Sequence, residues 1–319
     1  MKRMIASTET PAVAPPIASR LDPKLIASLA AVYLIWSSTY LAMKVAMHDL
    51  PPLLMASMRF ASAGMVLLLV ALRRGVKWPT ARDWLSVAPV GTLLFVGGNG
   101  FIAIAQGTIP SGATAVVAAM MPLWMGVLGV ITGDRPTRRE WLSLAIGFGG
   151  ILVLMGGPSL AGDPLHIVLV LCAPAAWALG SIIARRLDSP ATKDVFMLSA
   201  MEMITGGVAL FVIGALRGES IPHHVGAKSW IALAYLWVAG SLIAFTAYSW
   251  LLRNTRPVIA TSYAYVNPGL AVVLGAALSG EPLGPTTIIA NVLMVVAIWL
   301  ALSKTRAYDG SRSARRSPK

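Results

Sequence analysis

Charged residues are scarce in this sequence. Asp, Glu, Lys and Arg make up 12% of its 319 residues, whereas a soluble domain carries about 25%. Cysteine is scarcer still, since Cys172 is the single one. One cysteine excludes an intrachain disulfide framework, and so few charges exclude an ordinary soluble domain.

The sequence also lacks the common motifs of hydrolytic enzymes. Neither HExxH nor GxSxG occurs, and these motifs would hold a zinc ion or a nucleophilic serine. The four histidines, His48, His166, His223 and His224, fall in loops or at predicted helix ends. We therefore expect no catalytic residue, no metal ion and no cofactor, and an intramembrane enzyme is the weaker alternative.

Long apolar runs, by contrast, fill most of the chain. Hydrophobic residues make up 56% of it, and the mean hydropathy is +0.72. Ten runs have the roughly 17–25 residues that cross a hydrocarbon core, and their connections are short. The sequence thus predicts an all-α polytopic membrane protein with ten transmembrane helices. The predicted spans are 25–46, 52–72, 84–107, 112–131, 140–156, 165–184, 194–215, 229–252, 257–279 and 284–302.

The Lys and Arg residues predict the orientation of these spans. With both termini in the cytoplasm, 22 of the 26 lie on the cytoplasmic side, and only Arg217 and Lys228 lie outside. Such asymmetry in short loops is the positive-inside signature. The basic charge therefore indicates topology and contact with the lipid bilayer, not a nucleic-acid partner. Residues 1–24 hold no signal-peptide core, and we expect a disordered cytoplasmic arm there and a basic cytoplasmic tail at 303–319.

The two halves of the chain resemble each other. The segments "IPSGATAVVAAMMPLWMGVLGVITGD" (109–134) and "RPVIATSYAYVNPGLAVVLGAALSGE" (256–281) share an early proline, an interior proline and a final glycine–acid pair. Trp36 and Trp177 also match, at a similar offset along the chain. These matches predict two five-helix repeats, 25–156 and 165–302. Because five is an odd number, the second repeat must be inverted in the membrane, an arrangement that recurs in secondary transporters.

Several segments resemble a known family. "YLIWSSTYLAMKVAMHDLPPLLMASMRF", "VGGNG", "IPSGATA", "TSYAYVNP" and the later "SGE" are similar to the drug/metabolite transporter superfamily, in particular to EamA-type exporters of the YedA branch. The resemblance covers roughly residues 25–302. It implies a ten-helix carrier of the bacterial inner membrane that exports amino acids, related small metabolites or drugs.

Pro122 and Pro268 each interrupt a predicted span. A proline lacks the backbone N–H, so each leaves a carbonyl free about one turn earlier. Free backbone groups are tolerated at membrane depth only where they are buried in protein or line a wet cavity. We therefore predict that the two prolines mark helices involved in gating.

Three ionisable residues fall within the predicted spans: Lys44, Arg59 and Glu202. Such charges are costly in a membrane and frequently functional. Arg59 would attract an anionic group such as a carboxylate, and Glu202 would bind a cationic group or carry a proton. Lys44 lies near an outer helix end, where its side chain can reach water. The alternative for these residues is helix-end anchoring or hydrogen bonding between helices.

Polar and aromatic residues deep in the spans predict the wall of a cavity. Trp36 and Trp177 lie deeper than the interfacial aromatic belt, and Asn99 lies among glycines in "VGGNG". The predicted cavity residues are Trp36, Asn99, Trp177, Tyr248, Thr261, Tyr265 and Asn267. The alternative is that these side chains only pack between helices.

These features favour a secondary transporter that works by alternating access, with a small-molecule substrate near the bilayer midplane. A closed ten-helix bundle can work as a monomer. The rival is a passive facilitator or channel, although the few fixed charges within the spans do not support ion selectivity by charged rings.

Overall fold

The computed structural model describes residues 22–109, 114, 117–155, 163–270 and 285–302, and the regular secondary structure of these residues is helical throughout. Short helices occur at Pro190–Lys193, Pro257–Ala260 and 263–270, and the last two form what we call the 257–270 segment. The longer helices are α1 (Pro23–Ala46), α2 (Pro52–Arg73), α3 (Ala81–Ala105), α4 (Met121–Thr132), α5 (Arg138–Met155), α6 (Pro164–Arg186), α7 (Val195–Leu216), α8 (Ala227–Asn254) and α9 (Pro285–Leu302).

Six of these helices, α1, α2, α3, α6, α7 and α8, are long and apolar enough to cross a bilayer. The prediction of an all-helical, multi-pass membrane protein is confirmed in the described ranges. The other four predicted spans each include residues outside those ranges, so a total of ten stays a prediction. The expected terminal arm and tail also lie outside the described residues, except for residues 22–24.

The first helix of each half begins with the same two residues. Asp22 caps α1 by accepting a hydrogen bond from the backbone N–H of Lys24, and Pro23 follows it. Asp163 caps α6 by accepting from the backbone N–H of Leu165, and Pro164 follows it. An aspartate N-cap satisfies a backbone donor that has no partner in the helix, and proline fits the first helical turn. The local sequence therefore determines both starts.

The second helix of each half ends in the same way. Gly75 follows α2 with φ of 86°, and Gly218 follows α7 with φ of 76°. These left-handed conformations favour glycine, which has no Cβ to clash. The two glycines come directly after the similar sequences "ALRR" and "ALR", so positions that match in sequence also match in conformation.

Matching helices of the two halves pack against each other in antiparallel orientation. In α2 and α7, Gly64 lies against Ile204, whereas Gly207 lies against Ala61. Contact positions therefore rise along one helix as they fall along the other. The same holds for α5 and α9, where the Ser143 hydroxyl donates to the carbonyl of Ala297 and Gly150 lies against Ala290. Small residues permit this close approach of helices in a membrane.

Acidic side chains tie the connections on one face of the bundle. The carboxylate of Asp49, in the α1–α2 turn, accepts hydrogen bonds from the Ser229 hydroxyl (2.7 Å) and the Gly226 backbone N–H (2.9 Å). The bond from Ser229, with smaller contributions from His48 and Gly226, lowers the pKa of Asp49 to about 2. Asp49 is therefore ionised at neutral pH, and it holds this turn against the start of α8.

Pro122 lies next to a helix break, whereas Pro268 lies within a short helical stretch that follows one. A turn at 119–120 precedes α4, which places Pro122 in the first turn of that helix. The expectation of an interior kink at Pro122 is corrected accordingly, because proline is well accommodated in a first turn. In the 257–270 segment the turn lies at 261–262, and Pro268 follows within the helical stretch 263–270.

Candidate functional site

A cavity of about 100 Å³ lies among α1, α2, α3, α4, α6, α8 and the 257–270 segment. A water molecule needs about 10–15 Å³ of such space, so the cavity can hold several waters or a small solute. Its polar or hydrogen-bonding lining side chains are Trp36, Thr39, Arg59, Asn99, Trp177, Tyr263 and Asn267.

The cavity is displaced towards the side of the α1–α2 turn. Met43 and Ile102 line it from the C-terminal halves of α1 and α3, and Arg59 lines it from the N-terminal half of α2. These three half-helices all lie on the side where α1 turns into α2. The cavity is therefore not symmetrical about the middle of the bundle.

The opposite side of the bundle is closed by packed rings and cross-links. Tyr248 packs against Trp36 and Tyr263, with ring centroids 5.2 and 5.7 Å away. Further from the cavity, the Tyr33 and Ser262 hydroxyls form a hydrogen bond of 2.6 Å. These contacts join α1, α8 and the 257–270 segment beneath the cavity.

Two ion pairs link the halves at the far end of this closed side. Arg256 Nη2 donates to Glu140 Oε2 at 2.8 Å, and the Arg256 Nε also pairs with the same carboxylate. Arg185 lies 3.9 Å from the carboxylate of Asp134. In each pair the arginine belongs to the second half of the chain and the acid to the first half.

Arg59 is the charged side chain among the described residues that line the cavity, and no carboxylate lines it with Arg59. The residue is 6% exposed. Its Nε donates to the Ser241 hydroxyl oxygen at 2.7 Å, and that hydroxyl donates to the carbonyl of Leu236 at 3.2 Å. This chain of hydrogen bonds fixes the guanidinium at the wall, where an anionic group is the complementary ligand.

Two π-helical stretches form part of the site, Thr92–Gly100 in α3 and Leu236–Phe245 in α8. Such stretches occur frequently at functional sites. In the first, a Cβ on Gly98 would collide with the Trp177 ring. In the second, Trp36 Nε1 donates to the carbonyl of Gly240 at 3.1 Å, and a Cβ there would lie 2.7 Å from Arg59 Nη2. Each stretch therefore needs a glycine at its contact with the other half of the chain.

A polar side chain in each stretch reaches the carbonyl five positions earlier. Asn99 Nδ2 donates to Leu94 at 3.4 Å, and the Ser241 hydroxyl donates to Leu236 at 3.2 Å. The donors of the two bonds are separated along the chain by the same interval as their acceptors. The two stretches are therefore built alike at the level of single hydrogen bonds.

The prolines influence the cavity through residues one turn earlier. Pro122 and Pro268 cannot donate to the carbonyls of residues 118 and 264. Ala118 and Ala264 both line the cavity, as does Pro268 itself. Backbone carbonyls that lack their helical partner are thus associated with the cavity wall.

The structure brings half of the sequence-predicted site residues to the cavity. Those that line it are Trp36, Arg59, Asn99, Trp177, Asn267 and Pro268. Pro122 follows the lining residue Met121. Tyr248 lies directly beneath, and its hydroxyl bonds Trp177 Nε1 and the Ser181 hydroxyl at 3.1 and 2.7 Å.

The other predicted residues lie elsewhere. Thr261 is buried, and its hydroxyl donates to the carbonyl of Pro257. Tyr265 packs against Gly147 in α5. Lys44 is exposed in the last turn of α1, and Glu202 is buried in α7.

The predicted set leaves out several residues of the site, and three of these bear directly on its chemistry. Tyr263 lines the cavity, as does Gly240, and Ser241 holds Arg59. Gly240 and Ser241 could have been found, because this glycine–polar pair is the second-half counterpart of Gly98 and Asn99 in the "VGGNG" motif. Tyr263 could also have been found, because it precedes Asn267 by four positions and so shares its helical face, whereas Tyr265 does not.

Comparison with known proteins assigns this architecture to a family. The sequence profile of the EamA-like transporter family matches the chain twice, over residues 24–156 and 164–303. The chain belongs to the EamA-like transporter family. Its cavity, built from both matched regions, is therefore the cavity of an EamA-like transporter.

Curated relatives agree with this membership. The uncharacterized inner membrane transporter YedA of Escherichia coli (strain K12) is 39% identical over 277 residues, covering 86% of this chain and 90% of YedA. Protein PecM of Dickeya dadantii (strain 3937) is 24% identical, covering 82% of this chain and 88% of PecM. The uncharacterized transporter YvbV of Bacillus subtilis (strain 168) is 25% identical, covering 88% of this chain and 92% of YvbV.

A crystal structure shares the fold. It superposes with a TM-score of 0.71 at 21% identity, covering 87% of this chain and 96% of the other. Together with the family match and the relatives, this similarity identifies the chain as a multi-pass inner-membrane transporter and not an enzyme.

Proposed function

We propose that this EamA-like transporter is a secondary carrier that moves small carboxylate-bearing solutes, such as amino acids and related metabolites, by alternating access. In the proposed topology both termini are cytoplasmic, so the cavity is displaced to the outer side and the two ion pairs close the cytoplasmic side. The observation that carries the proposal is the buried, oriented Arg59 in a cavity to whose wall the described residues contribute no carboxylate.

Substrate class follows from the chemistry of the wall. A guanidinium binds a carboxylate with two parallel hydrogen bonds. Amide groups of Asn99 and Asn267, together with the carbonyl of Ala264, to which Pro268 cannot donate, offer acceptors for an ammonium group. The lining aromatic rings offer apolar and cation–π surface. A small zwitterion satisfies all three features, whereas a cationic drug would meet Arg59 with the wrong sign.

Alternating access is supported by the antiparallel packing of matching helices. The pairs α2/α7 and α5/α9 have the relation expected for inverted repeats, which in transporters exchange between two arrangements around a central site. The broken helices next to Pro122 and Pro268 border the same cavity, as expected for gating elements. Export is the direction that the family resemblance implies.

Flux measured in proteoliposomes tests this function. We expect saturable uptake or efflux of particular labelled amino acids from a panel, with stimulation by an imposed pH gradient if the carrier is coupled to protons. Saturable flux that ignores the gradient would indicate a uniporter or exchanger. Absence of flux for every carboxylate in the panel, with flux of neutral or cationic drugs, would contradict the proposed substrate class.

A further inference from the structure

The two halves of the chain carry matching polar pairs that are engaged differently. In one pair, Arg59 on α2 bonds Ser241 on α8. The matching positions in the opposite halves are Glu202 on α7 and Asn99 on α3. In the described structure Asn99 Nδ2 reaches only the carbonyl of Leu94, at 3.4 Å, and no hydrogen bond joins it to Glu202.

The equivalence of these positions is supported by contacts and not only by residue numbers. The shift in residue number that relates Arg59 to Glu202 also relates Gly64 to Gly207 and Ala61 to Ile204. The contact of Gly64 with Ile204 therefore corresponds to the contact of Gly207 with Ala61. The bonds from Asn99 to Leu94 and from Ser241 to Leu236 each span five positions, so the two π-helical stretches share one local hydrogen-bond pattern. Both pairs thus sit in equivalent frameworks.

A second bond shows the same asymmetry. Trp36 Nε1 donates to the carbonyl of Gly240 in the π-helical stretch of α8. Its counterpart Trp177 abuts Gly98 in the stretch of α3, but its Nε1 donates to the Tyr248 hydroxyl instead. Among the described residues, the π-helical stretch in α8 is therefore hydrogen-bonded to Trp36 and Arg59, whereas the stretch in α3 is hydrogen-bonded to neither Trp177 nor Glu202.

Glu202 lies below the cavity and has no bonded cation among the described residues. It is 1% exposed, and its backbone abuts Gly91 in α3, which precedes the lining residues of that helix. The ionisable groups that face its carboxylate are Arg253 and Tyr248, both from α8. Arg253 Nη2 instead donates to the carbonyls of Ala184 and Leu187 at 3.1 and 3.3 Å, and within the described residues it forms no ion pair with Glu202.

We propose that Glu202 and Asn99 form a second binding site, the counterpart of Arg59 and Ser241, which assembles when the cavity opens to the cytoplasmic side. This inference rests on the alternating access proposed above. The chemistry of the two pairs is complementary: the Ser241 hydroxyl oxygen accepts from a guanidinium, and the Asn99 amide N–H can donate to a carboxylate. The second site takes a cationic group, either a proton or an organic ammonium.

The consequence is a site whose charge changes sign during the cycle. The outward-facing cavity presents Arg59 and attracts the carboxylate of a solute. The inward-facing cavity presents Glu202, which repels that carboxylate and binds the cationic group. The inward-facing state therefore weakens the binding of the carboxylate, and the outward-facing state weakens the binding of the cationic group.

Cysteine accessibility tests the proposed exposure of Glu202. Single cysteines replace Glu202 or Arg59 in a Cys172→Ser background and are exposed to a membrane-impermeant methanethiosulfonate from each face of oriented vesicles. A Glu140→Gln background removes the negative charge that pairs with Arg256 and favours cytoplasmic opening.

We expect the cysteine in Glu202→Cys to react from the cytoplasmic face, and this reaction should be about fivefold or more faster in the Glu140→Gln background. The cysteine in Arg59→Cys should react from the outer face. No cytoplasmic reaction at Glu202→Cys in either background would overturn the proposal.

Two further variants separate this result from misfolding. Ser199→Cys is nearly isosteric, lies one turn from Glu202 on α7 and should show the same cytoplasmic reactivity. The pair Asn99→Cys/Glu202→Cys should form a disulfide on oxidation, more with Glu140→Gln. The control pair Asn99→Cys/Val208→Cys should not, since Val208 lies on the exposed face of α7. Equal cross-linking of both pairs would contradict a specific Asn99–Glu202 contact.

Flux of the amino-acid panel through Glu202→Gln identifies the cation. Loss of stimulation by a pH gradient, with Arg253 and Tyr248 intact, would identify a proton. Loss of inhibition by an ammonium compound on the cytoplasmic side would identify an organic ammonium. Wild-type-like flux on both tests would overturn the cationic role. Absence of flux in the wild-type protein would instead contradict the proposed function. The cysteine-labelling result would still show whether Glu202 becomes exposed on the cytoplasmic side.

Discussion

Arg59 illustrates how a single residue can define a substrate class. A buried guanidinium is costly, and its cost is lowered here by one hydroxyl partner, Ser241. The part of the cavity wall that the structure describes contains no compensating carboxylate. Such a group is best neutralised by an anionic ligand. The sequence indicated this role because charges within spans are rare, whereas serine is common in spans and drew no attention to Ser241.

Replacing the guanidinium should weaken substrate binding more than it affects folding. Hydrogen bonds to charged groups contribute about 1.5–3 kcal/mol, so we expect Arg59→Gln to raise KM for a transported carboxylate about 10- to 100-fold. Arg217→Gln, which alters an exposed arginine at the end of α7, is the matched control. Proteoliposome kinetics on both variants provide the measurement, and an unchanged KM for Arg59→Gln would exclude it from the binding site.

At the scale of elements, the two π-helical stretches set the distance between the halves of the chain. A Cβ at Gly98 would clash with the Trp177 ring, and a Cβ at Gly240 would displace the Arg59 guanidinium and crowd Thr39. Extra volume in such contacts costs about 1–3 kcal/mol. The sequence showed the glycines of "VGGNG" but could not show a π-helix, because its hydrogen-bond pattern has no distinct residue preference in these apolar stretches.

We therefore expect Gly98→Ala and Gly240→Ala to lower thermal stability in detergent and to reduce transport at least severalfold. Gly149→Ala is the control, since a Cβ at Gly149 would meet nothing within 4 Å. Thermal melts and flux on the three variants provide the measurement. Wild-type behaviour of both cavity-facing variants would show that these close contacts do not constrain the site.

The helix breaks near Pro122 and Pro268 lead to a different expectation. Alanine restores a backbone N–H, which at position 268 can donate to the carbonyl of Ala264 within the helical stretch 263–270. At position 122 the added N–H lies in the first turn of α4, where proline is accommodated without loss of a helical hydrogen bond. Pro122→Ala and Pro268→Ala should therefore retain or raise thermal stability while lowering the transport rate, because a gating element becomes a more regular helix. Thermal melts and flux on both variants provide the measurement, and transport equal to wild type in both would count against a gating role.

Across the whole molecule, the sequence predicted class and packing better than individual side-chain directions. Apolar runs indicated the long helices. Asn99 and Asn267, predicted as cavity residues because amides deep in a membrane need polar surroundings, lie in the wall of the described cavity, and their role in binding stays a prediction. Tyr263 and Tyr265 are close in sequence and lie in the same helical stretch, 263–270. They point to different neighbours because residues two positions apart lie on opposite sides of a helix.

Counterflow is the measurement that tests alternating access most directly. Proteoliposomes are loaded with an excess of unlabelled substrate, and the uptake of external labelled substrate is followed. A carrier that presents one site to each side in turn should accumulate the label transiently, at a rate that saturates with substrate on either side. Arg59→Gln should reduce this accumulation in parallel with its higher KM. Label that merely equilibrates, without saturation or transient accumulation, would contradict the carrier mechanism and indicate a channel.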